Sequence, residues 1–256
     1  MSHHPVIELD AASPQAVDGR QLRAVSFQRV RMTYAEDVIE RFQVPRGGRA
    51  LVVGSGRGLL ARGLARLGLA VTAADPSPRA TALARQAGDQ EGLSIEYVTA
   101  PAESLAALGD GDYDLAYYAD TFEITRSLDD VLAEAARLLR PGAPLIFDTV
   151  NRTPLSRLVY LGAFQALPMT RIMPPGRYAA DRLRPPAELA AAMRRHGLLP
   201  QDVCGFKPRS AGALVRATLA RRRGRIGDEE IARMVSFVLD PHGRPVVTYL
   251  GHARRA

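Results

Sequence analysis

Tryptophan is absent, and lysine and cysteine occur once each, as Lys207 and Cys204. A single cysteine excludes an internal disulfide and any multi-cysteine metal centre, and it suits a reducing, cytoplasmic setting. With Lys207 alone, 33 of the 34 cationic side chains are arginine. The net charge of +7 is spread along the chain, apart from one cluster at Arg221, Arg222, Arg223 and Arg225. Aromatic residues make up only 6% of the chain, and none interleave with that cluster as an RNA-binding motif requires. The arginine bias, beside abundant alanine, glycine and proline, points to a GC-rich coding sequence rather than to a nucleic-acid partner. No run approaches the ~18 apolar residues of a membrane span, and the N-terminus carries no apolar leader core. Internal repeats and low-complexity tracts are also missing. What remains is a chain of 256 residues, enough to bury a substantial α/β core.

That core is organised around residues 50–68. Ala50–Val53 are apolar and suit a buried central strand; Gly54, Ser55, Gly56, Arg57 and Gly58 follow directly. Leu59, Leu60, Gly63, Leu64 and Leu67 then recur at helical spacing, with Gly68 placed to end the helix. Strand, glycine turn and helix open a nucleotide-binding βαβ unit, in which glycines let the backbone approach the ligand. A dinucleotide fingerprint needs a small residue at Leu59, so the spacing Gly54-x-Gly56-x-Gly58 instead resembles that of S-adenosylmethionine-dependent methyltransferases. Ala70–Ala74 read as a second strand ending on Asp75, where an acid can accept hydrogen bonds from both hydroxyls of a ribose. Taken alone, Asp75 reads as a solvated loop carboxylate; the glycine loop 21 residues earlier makes it a ribose ligand. Pro76, Ser77 and Pro78 start the next helix, with Ser77 as N-cap.

Further strands are expected at Ser94–Val98, Leu115–Tyr118 (ending at Asp120), Pro144–Phe147, Val203–Phe206 and Val246–Tyr249. Helices are expected at Leu128–Leu139, Glu188–His196 and Asp228–Phe237. Strand and helix alternate from 50 to 150, which predicts a doubly wound, mainly parallel seven-stranded sheet closed by an antiparallel hairpin. Residues 1–20 read as a flexible tail, with His3 and His4 solvent-exposed rather than metal-bound. Residues 21–256 read as one domain, in which 21–45 form a helical pair capping the cofactor and 151–186 an acceptor-side lid. Ser55, Asp75, Ala119 and Asp120 all fall beyond the carboxyl ends of strands, where ligands of such sheets bind.

Several stretches together resemble the ubiquinone-biosynthesis O-methyltransferase family, over roughly residues 25–255. They are Arg31-Met32-Thr33-Tyr34, Gly54–Leu60, Asp75, Ala102-Glu103, Asn151-Arg152-Thr153-Pro154, Pro185–Leu189 and Tyr249–Arg254. The resemblance implies a class I methyltransferase fold, S-adenosylmethionine as cofactor, and a phenolic acceptor on a lipophilic body. It also implies Arg31, Gly54, Ser55, Gly56, Gly58, Asp75, Pro76, Ser77, Ala102, Glu103 and Ala119 as cofactor-binding residues. The family's divalent-metal motif Glu-x-x-Glu-His corresponds here to Asp120, Glu123 and Ile124, so two carboxylates remain and the imidazole is gone. Val52 stands where the family has an acid, and Arg57 where it has a glycine. Asp120 and Glu123 are therefore read as the general base, as weak Mg²⁺ ligands, or as a capping acid and a solvated glutamate.

The leading expectation is O-methylation of a phenol, catechol or quinol-like small molecule. The alternative is a cofactor-fold protein with a cyclase-like or binding role, suggested by Val52, Arg57 and Ile124. A nucleic-acid methyltransferase is disfavoured, because no Asn-Pro-Pro-Tyr-type tetrad follows the fourth strand. Leu155, Leu158, Val159, Leu161, Phe164 and Leu167, flanked by Arg152, Arg157 and Arg171, either cap the core or form a lid that touches a membrane surface.

Overall fold

The computed structural model describes residues 5–13 and 15–256, so His3 and His4 lie outside it. The glycine-rich stretch folds as read. Strand β1 (Arg49–Val53) runs into the loop, and helix α2 (Leu59–Arg66) follows it. Around them come β2 (Ala70–Asp75), α3 (Pro78–Gln90), β3 (Ile95–Thr99), β4 (Leu115–Ala119), α4 (Leu128–Leu138) and β5 (Pro144–Val150). Each of these five strands pairs in parallel, in the order β3-β2-β1-β4-β5. Buried on both faces, such strands need continuous apolar runs, and Ala50–Val53 and Leu115–Ala119 are almost fully excluded from solvent.

The sheet has eight strands rather than the seven expected. Strand β6 (Leu198–Pro208), β7 (Phe237–Asp240) and β8 (Thr248–Arg255) complete it, with β8 inserted antiparallel between β5 and β6 and β7 on the outer edge. Phe237 lies in a strand and not at the end of the helix that the sequence predicts over Asp228–Phe237. That helix, α8 (Asp228–Met234), stops earlier, because Val235–Val238 are β-favouring and the free edge of β6 offers them a ladder. Phe237 then packs edge-on against Phe27, with centroids 4.7 Å apart. Strand β6 runs through Pro200 by shifting register between Pro200 and Asp202, the kind of irregularity that admits proline into a sheet.

Helix α1 (Gly19–Arg41) is a single 23-residue helix, not a helical pair. Nothing between Gln21 and Arg41 breaks it, since the stretch lacks both glycine and proline. Asp18 caps it by accepting from the Arg20 and Gln21 amides at 2.9 and 3.3 Å, worth ~1 kcal/mol. The preceding residues were expected to form a loose tail, yet Ala11, Ala16, Val17 and Asp18 are buried. Their anchors are charged: Arg57 donates to the Ala11 carbonyl and to Asp18, and Arg79 pairs with Glu8.

After β5 a short turn of helix, α5 (Pro154–Ser156), leads into a π-helical segment, Arg157–Ala166, and then into irregular chain up to α6 (Pro186–Arg195). Helix α7 (Ala211–Arg222) and α8 pack near α1 on one face of the sheet, while α4 and α6 pack together on the other. The strand order reverses between β1 and β4, which opens a crevice at their carboxyl ends.

Candidate functional site

The crevice holds a cavity of about 240 Å³. Its floor is the glycine loop. Gly54 has φ +74°, and a Cβ there would lie 2.3 Å from the Ala119 carbonyl oxygen, so β1 and β4 approach this closely only with glycine. At Gly56 (φ +53°) the nearest atom to an added Cβ is Arg20 Nη2 at 3.7 Å, so a side chain there would fill ligand space instead of striking the fold. Gly58 differs: its neighbours are Ala84 and Tyr97, which makes it a packing glycine. Val53, Leu59, Leu60, Pro76, Pro101 and Ala102 supply apolar walls, with Ser55, Glu103 and Ala119 also lining the cavity.

Asp75 is fully buried at the end of β2. Its Oδ2 accepts from the Gly56 amide at 2.8 Å and its Oδ1 from the Ser77 amide at 3.0 Å, and the Ser77 hydroxyl caps α3. The carboxylate thus shapes the loop. Arg20 sits on it, with Nη2 2.5 Å from Oδ2 while Nη1 reaches both oxygens of Asp10 at 2.9 Å. A buried carboxylate beside an open glycine, ringed by apolar walls, fits a nucleoside with a free ribose diol. Arg20 occupies the place that such a diol needs.

A second charged group lies at the tips of β4 and β5. Arg23, on α1, donates from Nη2 to Asp120 and to Glu123 Oε1 (3.1 Å), and from Nη1 to the Tyr178 hydroxyl (2.8 Å). Arg31, two turns further along α1, reaches Asp120 Oδ2 and Asp148 Oδ2, both at 2.7 Å. Burial opposes ionisation of Asp120, but Arg23 and Arg31 together outweigh it and hold its carboxyl well below the usual range. Burial lifts Glu123 above its ordinary value against the pull of Arg23, and pushes Asp148 up to about 7. Asp120 adopts φ +49° and is a quarter exposed toward the cavity, whereas Glu123 is sealed behind it and accepts from Thr149.

The residues expected from sequence therefore separate into groups. Gly54, Ser55, Gly56, Pro76, Ala102, Glu103 and Ala119 line one cavity, and Asp75 reaches it through Gly56 and Arg20. Gly58 and Ser77 support it from behind. Arg31 also lines the cavity, but its guanidinium is committed to two carboxylates. Asp120 and Glu123 do come together, around an arginine. A divalent ion between them would stand against the Arg23 charge, and Ile124 supplies no ligand, so this donor set does not fit Mg²⁺. Among the described residues no group of three His, Cys, Asp or Glu side chains could hold a metal ion.

Arg20, Arg23, Asp10, Asp148, Arg177 and Tyr178 were missed. For the α1 residues a signal existed: positions 20, 23, 27 and 31 share one helical face, so arginines flank Phe27 on a side that must be buried. Arginine on a buried face implies carboxylates opposite. Arg177 also lines the cavity and has no carboxylate partner among the described residues; burial pulls its pKa down.

Behind Arg23 opens a second, larger cavity of about 580 Å³, walled by Leu22, Phe27, Leu155, Val159, Phe164 and Phe206 among others. The two cavities share Arg23.

Residues 51–147 match the family described as a methyltransferase domain. The ubiquinone biosynthesis O-methyltransferase of Xanthomonas axonopodis pv. citri (strain 306) is 35% identical over 190 residues, which are 74% of this chain and 77% of the relative. Its counterpart from Bordetella avium (strain 197N) is 34% identical over 162 residues, 63% of this chain and 66% of the relative. A SAM-dependent methyltransferase of known structure from Aquifex aeolicus aligns with a TM-score of 0.56 at 16% identity, covering 91% of this chain and 93% of that one. At that identity the likeness bears on the fold alone.

Proposed function

Because the chain belongs to the ubiquinone biosynthesis O-methyltransferase family, we propose that it methylates a hydroxyl of a phenolic, catechol or quinol-like acceptor carrying an apolar body. The observation that carries this reading is the apolar 580 Å³ cavity meeting the cofactor cavity at Arg23. S-adenosylmethionine supplies an electrophilic methyl group on a sulfonium. Asp75 accepts the ribose hydroxyls, Gly54, Ser55 and Gly56 give the backbone room, Ala102 and Glu103 flank the base, and Arg177 takes the carboxylate end. The acceptor oxygen uses a lone pair to form the new C–O bond while the S–C pair returns to sulfur. Asp120, the carboxylate open to the cavity, accepts a hydrogen bond from the acceptor hydroxyl and orients it, and the proton leaves to water, because Arg23 and Arg31 hold Asp120 ionised. In-line displacement gains most from positioning, which two cavities sharing Arg23 provide.

Residues 151–186 cover the acceptor side. Tyr178 walls the cofactor cavity, while Leu155, Val159 and Phe164 wall the apolar one. Leu158, Leu167 and Met169 are exposed beside Arg157 and Arg171, which supports contact with an anionic lipid surface as the acceptor's way in. No helix among the described residues is long and apolar enough to cross a membrane.

The test is methyl transfer from labelled S-adenosylmethionine to 4-alkylcatechols of increasing chain length, with products identified by mass spectrometry. Each added methylene should raise kcat/KM by up to about fourfold, the ~0.8 kcal/mol of burying a CH₂. Failure of every oxygen acceptor to yield a methyl ether would overturn the reading.

A further inference from the structure

Arg23 is 4% exposed, and a guanidinium this deep is expensive unless its surroundings repay desolvation. Three rings surround it, with Tyr160, Phe27 and Tyr178 centroids at 4.9, 5.3 and 5.7 Å. Two carboxylates, Asp120 and Glu123, accept from one of its terminal nitrogens, and the Tyr178 hydroxyl accepts from the other. Its Nε–H is buried without a partner among the described residues. Apolar replacement of a buried ionic group is often neutral or stabilising, so a charge retained here, with a donor to spare and on the wall common to both cavities, points to a ligand.

We propose that Arg23 is the resident cation of the acceptor site: it fills the place between Asp120 and Glu123 that a divalent ion would need, and it holds the acceptor's anionic oxygen where the two cavities meet. The inference rests on the acceptor reading above. A phenol ordinarily ionises near pH ~10, and a fixed positive charge favours the phenolate. A guanidinium is charged at every working pH and carries its donors in a rigid fork. Arg23 thereby supplies the charge stabilisation that a metal ion would bring, without an exchangeable ligand.

Two sets of measurements test this, all on the full chain. In the first, Mn²⁺ is titrated and followed by electron paramagnetic resonance, with no acceptor present. Wild type should leave Mn²⁺ free, and Arg23→His, which sets an imidazole beside two released carboxylates, should bind it; adding Glu123→Gln should abolish that binding. In the second, 4-alkylcatechol methylation is measured in EDTA. Arg23→Gln should lose about 100-fold in kcat, as when an oxyanion donor is removed, with S-adenosylhomocysteine affinity held within about threefold. Arg23→Lys, which keeps the charge, should recover about a tenth of wild-type kcat. Wild type binding Mn²⁺ through Glu123, or equal activity in Arg23→Gln and Arg23→Lys, overturns the proposal. Should Arg23→His not fold, the wild-type titration and the Gln–Lys pair still decide. If wild type methylates no catechol at all, the acceptor reading fails, while the Mn²⁺ titrations still judge the cation assignment.

Discussion

Replacing Arg20 with alanine should tighten binding of the cofactor product while weakening the fold. Arg20 Nη2 lies 2.5 Å from Asp75 Oδ2, its side chain 15% exposed and that of Asp75 fully buried. A ribose diol bound to Asp75 must take that place. A charge-assisted hydrogen bond of this kind contributes ~1.5–3 kcal/mol and a neutral hydroxyl donor ~1 kcal/mol. Arg20 retains Asp10 when it moves, since Nη1 already reaches both Asp10 oxygens at 2.9 Å. The displacement therefore costs the ligand about 0.5–2 kcal/mol, and Arg20→Ala should lower the Kd for S-adenosylhomocysteine by about 2- to 30-fold. The cavity volume agrees with this. At about 240 Å³ it falls short of the ~300–1,000 Å³ usual for small-molecule sites, and the Arg20 side chain lines it. Isothermal calorimetry measures the change. Adenosine, which has the diol, should gain as much as S-adenosylhomocysteine, and adenine should gain nothing. Unchanged or weaker binding of adenosine to Arg20→Ala would refute the displacement, and with it the ribose role of Asp75.

Arg177→Ala should weaken S-adenosylhomocysteine by about 10-fold or more, the loss of a charged hydrogen bond, and leave 5′-methylthioadenosine, which lacks the carboxylate, within twofold; equal losses for both ligands would count against that contact. Phe164→Asp should reduce kcat/KM for a long-chain catechol at least tenfold with S-adenosylhomocysteine affinity nearly unchanged, because Phe164 is half-buried on the apolar cavity against Tyr160, 5.3 Å centroid to centroid; global unfolding would identify the segment as core instead. Burial holds His252 below its ordinary pKa, with Tyr34 2.9 Å from Nδ1 and Asp202 opposing the shift. The unfolded chain therefore takes up the proton first as pH falls through ~6.5, so stability declines below that pH and is intact above it. The urea midpoint should fall between pH 7.5 and 5.5 more steeply in wild type than in His252→Gln, and parallel slopes would rule this out.

Local chemistry determined the parallel half of the molecule before any tertiary contact was known. Ala50–Val53 suit a buried strand, Gly54 and Gly56 a turn with positive φ, and Ser77-Pro78 a helix start, because each demand is met within a few residues. The shape of the glycine loop follows, since strand tips, loop amides and Asp75 are all set by that short-range pattern. The antiparallel half was decided by partners distant in sequence. Gly251-His252-Ala253-Arg254 carry little strand propensity but are held between β5 and β6, where Gly251 lets the Phe147 ring approach. Phe237 left its helix because an open strand edge lay beside it. The charged group at the tips of β4 and β5 depended most on tertiary structure. Asp120 and Glu123 were legible as carboxylates at a strand tip, but whether they face a metal ion, a proton or an arginine depends on a residue 97 positions away from Asp120. Only folding α1 across the crevice brings Arg23 there, and Coulomb attraction in a solvent-excluded site then selects the arginine.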